Sequence, residues 1–259
     1  MLLTNKLKPL ALSLCLVTVF AAASSQAAVV RINQGAFTPQ AGLITFSEFA
    51  QGTVNPTYAP SNYGGGAAAP TVTFGGWFTG QSAGVSGSCP SGAALSGCVL
   101  GSPTGVLSID SASPQTFITG DGANPTSPVL SGSPRFNGPI AVLFDKDLAG
   151  VGLDGGFFDA VGGTAITAFD RNGNVIGSVK NEGLGIEFLG LVTDNGQASI
   201  AGLLFSLVGA EPFGFAIDNL RFGVAGQVVV PGAVPVPAAL PLLASALGLG
   251  VFARRRKNS

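Results

Sequence analysis

Thirteen carboxylates and no histidine bound the chemistry open to this 259-residue chain. Without imidazole it lacks the commonest general base and the commonest transition-metal ligand. No nucleophile–base constellation can be drawn around its serines. Two acids stand out, Glu48 in Ile44-Thr45-Phe46-Ser47-Glu48 and Asp218 in Ile217-Asp218-Asn219-Leu220-Arg221-Phe222. Strand alternation puts Ile44, Phe46 and Glu48 on one face, and Asp218, Leu220 and Phe222 on one face of the later segment. With the apolar members turned inward, both carboxylates would approach the rim of the core. There an ionised group needs a counterion or hydrogen bonds. A structural Ca2+ held by Glu48 and Asp218 would supply hard-cation chemistry suited to oxygen ligands. Pairing with Arg31, Arg135 or Arg221, or hydrogen bonds from loop N–H groups, would serve the same need.

The remaining acids suggest less. Asp145-Lys146-Asp147 and Asp170-Arg171-Asn172 lack the glycine placement and closing glutamate of an EF-hand loop, and both are expected to be turns. Glu182 and Glu187 could form a carboxylate pair for glycoside hydrolysis. Their odd spacing places them on opposite faces if one strand carries both. Trp77 with Phe74 and Phe78, or Tyr58 and Tyr63, could stack on a sugar ring, with core packing as the alternative. The chain therefore reads as a non-enzyme. A secreted polysaccharide-active enzyme working with carboxylates alone is the alternative.

The elements that must position these residues are strands. There are 39 glycines and 17 prolines, and only 10% of residues are charged; this argues against long surface helices and for turn-rich β structure. Strands are expected at Leu43 to Phe49, Thr71 to Phe78, Pro139 to Phe144, Ala165 to Asp170, Asn174 to Lys180, Ile186 to Val192, Ile200 to Leu207 and Phe213 to Phe222. Asp170-Arg171-Asn172-Gly173-Asn174 is the clearest hairpin turn. Short antiparallel strands of this kind predict an all-β, jelly-roll-like β-sandwich over residues 28–223. Residues 50 to 138, with Tyr63-Gly64-Gly65-Gly66 among them, read as long excursions. In an oxidising compartment Cys89 and Cys98 are expected to form a disulfide that staples one of these loops.

The two ends carry export chemistry. Lys6 and Lys8, the apolar run from Leu10 to Ala23, and Ser25-Gln26-Ala27 predict a signal peptide over 1–27, cut by signal peptidase. A Val/Pro/Gly spacer at 224–233 leads to Val234-Pro235-Val236-Pro237. An apolar segment, 238–253, and a cationic cluster, 254–257, follow. The segment is a marginal membrane helix, and its cations would stay on the cytoplasmic side. Setting the ends aside leaves six basic residues against 13 acidic ones, a formal charge of −7. Such a body is a poor partner for nucleic acid, whose affinity rests on phosphate neutralisation.

Pro-x-Pro, a short apolar helix and a terminal Arg cluster, in that order over 234–259, resemble the PEP-CTERM sorting domain. Pro235 and Pro237 match the motif prolines, Arg254, Arg255 and Arg256 match the stop cluster, and Val236 stands where that family's naming motif has glutamate. The resemblance implies processing by exosortase, a Gram-negative membrane enzyme. It also implies a transient inner-membrane intermediate and delivery to the cell surface or to an extracellular matrix rich in exopolysaccharide. The opening Ile-Thr-Phe and closing Ile-Asp-Asn-Leu segments resemble bodies carried by proteins with such tails, and more loosely jelly-roll carbohydrate-binding modules. The role implied is adhesion, glycan binding or matrix structure.

Overall fold

A computed structural model describes residues 28–124 and 128–232. The expected signal peptide and sorting tail, including Pro235, Val236, Pro237, Arg254, Arg255 and Arg256, lie outside the described residues. Two antiparallel sheets pack together. One runs Val29–Arg31, Gly185–Thr193, Gly150–Phe158, Ala216–Gly223, Val129–Gly132, Thr116–Thr119, with Gly42–Ile44 also paired to Ala216–Gly223. The other runs Val175–Lys180, Thr164–Phe169, Ile200–Leu207, Ile140–Leu148, Val72–Gly75, Thr57–Tyr58. A small ribbon, Ser82–Ala83 with Val99–Leu100, stands apart. Among the described residues no helix is long and apolar enough to cross a membrane.

Alternation explains which face each strand buries. Leu203, Phe205 and Leu207 of Ile200–Leu207 enter the main core between the sheets, with Phe144, Leu153, Phe158, Leu189 and Phe222. Leu204 and Ala201 lie in a second cluster with Phe78, Leu107 and Phe169. Part of the irregular stretch between 76 and 110 therefore roofs the outer face of this sheet. That is why Ile200–Leu207 is buried along its whole length. At about 25 cal/mol per Å² of apolar surface removed from water, such two-sided burial makes this strand a principal source of stability.

The expected hairpin at 170–174 is present. Asp170 Oδ1 accepts from the N–H groups of Asn172 and Asn174, both at 2.8 Å, and Gly173 takes φ +81°. Asp145-Lys146-Asp147, by contrast, is no turn. It continues strand Ile140–Leu148, with Asp147 paired to Arg171 and Lys146 reaching the carbonyls of Ala67 and Ala69. The strand expected over Leu43 to Phe49 stops at Ile44. Phe46 turns to φ +57°, and Glu48 caps the resulting turn.

Gly150–Phe158 escaped the sequence reading because four of its nine residues are glycine. The glycines make room for neighbours. A Cβ on Gly152 would fall 2.5 Å from the Phe188 ring, and one on Gly155 would fall 2.8 Å from the Phe158 ring. Most of the expected spacer also belongs to the body. Val228 is buried with Ile32 and Val192, Val229 donates its N–H to the Ala36 carbonyl, and the Gln227 carbonyl accepts from Thr38.

Candidate functional site

Glu48 and Asp218, expected to share the rim of the core, keep separate partners. Glu48 Oε1 accepts from both the N–H and the hydroxyl of Thr45, each at 2.9 Å. Asp218 is 1% exposed. Its carboxylate accepts from Asn124 Nδ2 at 2.9 Å, from the Asn219 N–H at 2.7 Å and from Asn219 Nδ2 at 3.3 Å. The alternation expected for 218, 220 and 222 fails at Asn219, which takes φ +47°. There the pairing with Gly150–Phe158 slips, so that Gly152 meets Arg221 while Asp154 meets Asp218. Ile217 and Leu220 both enter the main core as a result. Asp218 instead lies beside Asp154, against a hollow of about 10 Å³ also lined by Asp121 and Asn124. Such a space is about one water in size. Among the described residues no group of three or more Cys, Asp or Glu side chains is placed to hold a metal ion.

Glu182, Glu187 and Glu211 are committed to the framework. Glu182 and Glu187 do converge, but on a cation: Arg31 bonds Glu187 and lies 3.6 Å from Glu182. Glu187 also accepts from the N–H groups of residues 182 and 183. Fully buried Glu211 accepts from the N–H groups of Asp159 and Ala160. Burial raises its pKa; those amide donations pull it down, and the charge of Asp159 raises it further. Cys89 and Cys98 are joined in a disulfide, their Cα atoms 6.1 Å apart. The loop they close docks on the body through the Ala94 N–H to the Glu211 carbonyl and the Leu207 N–H to the Gly97 carbonyl.

Of the aromatic candidates, Tyr58, Phe74 and Phe78 belong to the core, and Trp77 is half-buried. The Tyr58 ring packs with Phe46, Phe49 and Phe74. Burial drives its phenol pKa well above the ordinary value, with Glu48 adding to the effect. Tyr63 has a different fate. It is half-buried on the wall of a cleft of about 600 Å³.

The cleft lies between two short segments. One wall is Pro39–Leu43, the other is the loop 63–70, and Phe222, Gly223 and Val224 form the floor. The loop follows a short 3-10 helix, Pro60–Tyr63, which ends on Gly64 in the left-handed region. Three clamps set its shape: the Tyr63 hydroxyl donates to the Pro70 carbonyl, the Ala69 N–H donates to the Gly66 carbonyl, and the Lys146 ammonium donates to the Ala67 and Ala69 carbonyls. The Tyr63 ring stands edge-on to Phe222 at 5.2 Å. Burial, with Asp145 adding, pushes its pKa up to about 12, so the hydroxyl stays a donor. Opposite, Gln227 ties the wall down, its Nε2 donating to the Gln40 carbonyl and its Oε1 accepting from the Val224 N–H. Glycine is required at 42 and 65. A Cβ would fall 2.2 Å from the Phe222 ring at the first and 2.6 Å from the Tyr63 ring at the second. The sequence signal for this feature is Tyr63 followed by three glycines. Its floor, Phe222 to Val224, is distant along the chain and could not be paired with it in advance.

No protein-family model matches the chain, and neither a curated protein nor a solved structure is detectably similar to it.

Proposed function

We propose that this chain is an exported, non-catalytic surface or extracellular-matrix protein, cut by signal peptidase and sorted by an exosortase-type enzyme through its C-terminal segment. Its body would serve in adhesion, glycan binding or matrix structure, and its two-sheet architecture is read as jelly-roll-like. The observation that carries the reading of the body is how its acids are used. Glu48, Asp147, Glu182, Glu187, Glu211 and Asp218 are engaged by Thr45, Arg171, Arg31, backbone amides and Asn219. A carboxylate-only hydrolase needs two acids facing one substrate space; Glu182 and Glu187 converge on Arg31 instead, and Asp154 and Asp218 face a hollow of only about 10 Å³. The Pro235, Pro237 and Arg254–Arg256 pattern supports the sorting half of the proposal.

Mass spectrometry of the mature protein from exosortase-bearing cells tests it. The expected C-terminus lies near the Pro-x-Pro segment, and a mature chain still carrying Arg254 to Ser259 would sink the sorting proposal. Shortening of the host's exopolysaccharide by the purified protein, lost in a single-carboxylate variant, would instead favour the enzyme. Structural calcium at Glu48 and Asp218 is a separate proposal, read by a melting temperature that falls on chelation. The partners that each acid already has count against it.

A further inference from the structure

We infer that the cleft between Pro39–Leu43 and the Tyr63–Pro70 loop is a binding site for a neutral pyranose glycan. The inference deepens the proposed surface role by assigning glycan binding to one place. Its volume, about 600 Å³, lies inside the roughly 300–1,000 Å³ range of small-molecule sites. The chemistry of the lining decides the ligand. None of the residues lining the cleft carries a charge, so an ionic ligand would find no counter-charge in the lining. Lys146, the nearest cation to the loop described, is spent on the Ala67 and Ala69 carbonyls. An aromatic ring at the wall suits the apolar C–H face of a sugar, as it suits any partner that is apolar on one side and wet on the other. Gln40, exposed at the rim, offers an amide that both donates and accepts, as sugar hydroxyls do.

The loop is also preset. A Cβ built on Gly64 or Gly66 would meet nothing within 4 Å, so a ligand can approach the main chain there. The three clamps fix the loop before any ligand arrives, which reduces the ordering cost of binding.

Affinity electrophoresis of the purified full-length protein tests this, through gels containing pullulan, dextran or galactomannan, with alginate as the anionic control. At least one neutral polymer should retard the protein, and alginate should not. Ala68 is exposed on the loop, so Ala68→Trp fills the cleft without removing a hydrogen bond and should weaken retardation at least tenfold at unchanged melting temperature. Val106→Trp, at an exposed position outside the cleft lining, should stay within about threefold of the unmodified protein. Retardation surviving Ala68→Trp would overturn the site while leaving glycan binding elsewhere on the body. Retardation by alginate alone, or by no polymer, would overturn it too. Processing of the tail is read independently, so a correctly sorted protein that binds no glycan refutes the cleft and not the sorting.

Discussion

The side-chain amide of Asn219 donates to Asp154 Oδ2 at 2.9 Å, across the pair of strands that brings Asp154 opposite Asp218. The same amide reaches Asp218 Oδ2. Asn219 thus separates two adjacent carboxylates, and its left-handed backbone is the slip that placed them side by side. Asn is among the few residues that adopt this conformation readily. Asn219→Ala should lose both the donor and the backbone fit, costing about 1–3 kcal/mol. Urea denaturation checks it; an unchanged midpoint would show that the slip is held by its neighbours alone.

Buried Glu211 gives a pH signature. Its folded pKa lies above its ordinary value, so the protonated form favours the folded state. Its contribution is complete below the ordinary carboxylate range and is lost as pH rises through the raised folded value. Glu211→Gln cannot ionise but offers one acceptor oxygen to donors that now share two. The variant should start less stable than the unmodified protein at pH about 4 and gain on it towards pH about 7. Parallel stability curves would refute this.

The disulfide closes a short loop between Cys89 and Cys98, nine residues apart. Chain entropy alone assigns such a loop about 2–3 kcal/mol. Cys89→Ser with Cys98→Ser should lower stability by that order. Hydrogen exchange should rise first at Ala94 and Leu207, whose amides hold the loop to the body. Unchanged exchange at both would mean that the loop docks without its staple.

Gly42→Ala should be costly for its size. The added methyl would meet the Phe222 ring, and overpacking of this kind costs about 1–3 kcal/mol. Gly66→Ala is the control, since nothing lies within 4 Å of its would-be Cβ. A difference in melting temperature between the two reads out the close approach of Gly42–Ile44 to Ala216–Gly223.

The two-sheet, all-β architecture was legible because β-branched and aromatic runs alternate between turn signals. Ile200–Leu207 was placed to the residue, and the 170–174 hairpin was set by Asp170 and Gly173. Gly150–Phe158 was illegible, because its glycines report what its neighbours need and give the strand no pattern of its own. The disulfide was expected from Cys89 and Cys98 only on the reading of an oxidising compartment, since their spacing alone does not demand it. The fate of Asp218 could not be read, since alternation holds only while pairing is regular and one asparagine shifted the face. Tyr58 and Tyr63 carry the same side chain a short way apart; only packing against Phe46 or exposure beside Gly64 distinguishes them. The cleft was hidden because its floor, Phe222 to Val224, comes from a stretch of chain far from both walls.

The return of residues 227–229 onto the first segment has a mechanical meaning. A pull applied through residue 232 reaches the Val229–Ala36 and Thr38–Gln227 hydrogen bonds before it reaches strand Ala216–Gly223. These bonds follow one another along the chain and can break singly, like the teeth of a zip. The inner strand is paired with Gly150–Phe158 over most of its length, and with Gly42–Ile44 and Val129–Gly132 on its other side, and must shear many bonds at once. Under such a pull the 227–229 segment, with Val228 buried against Ile32 and Val192, therefore bears the load ahead of the sheets.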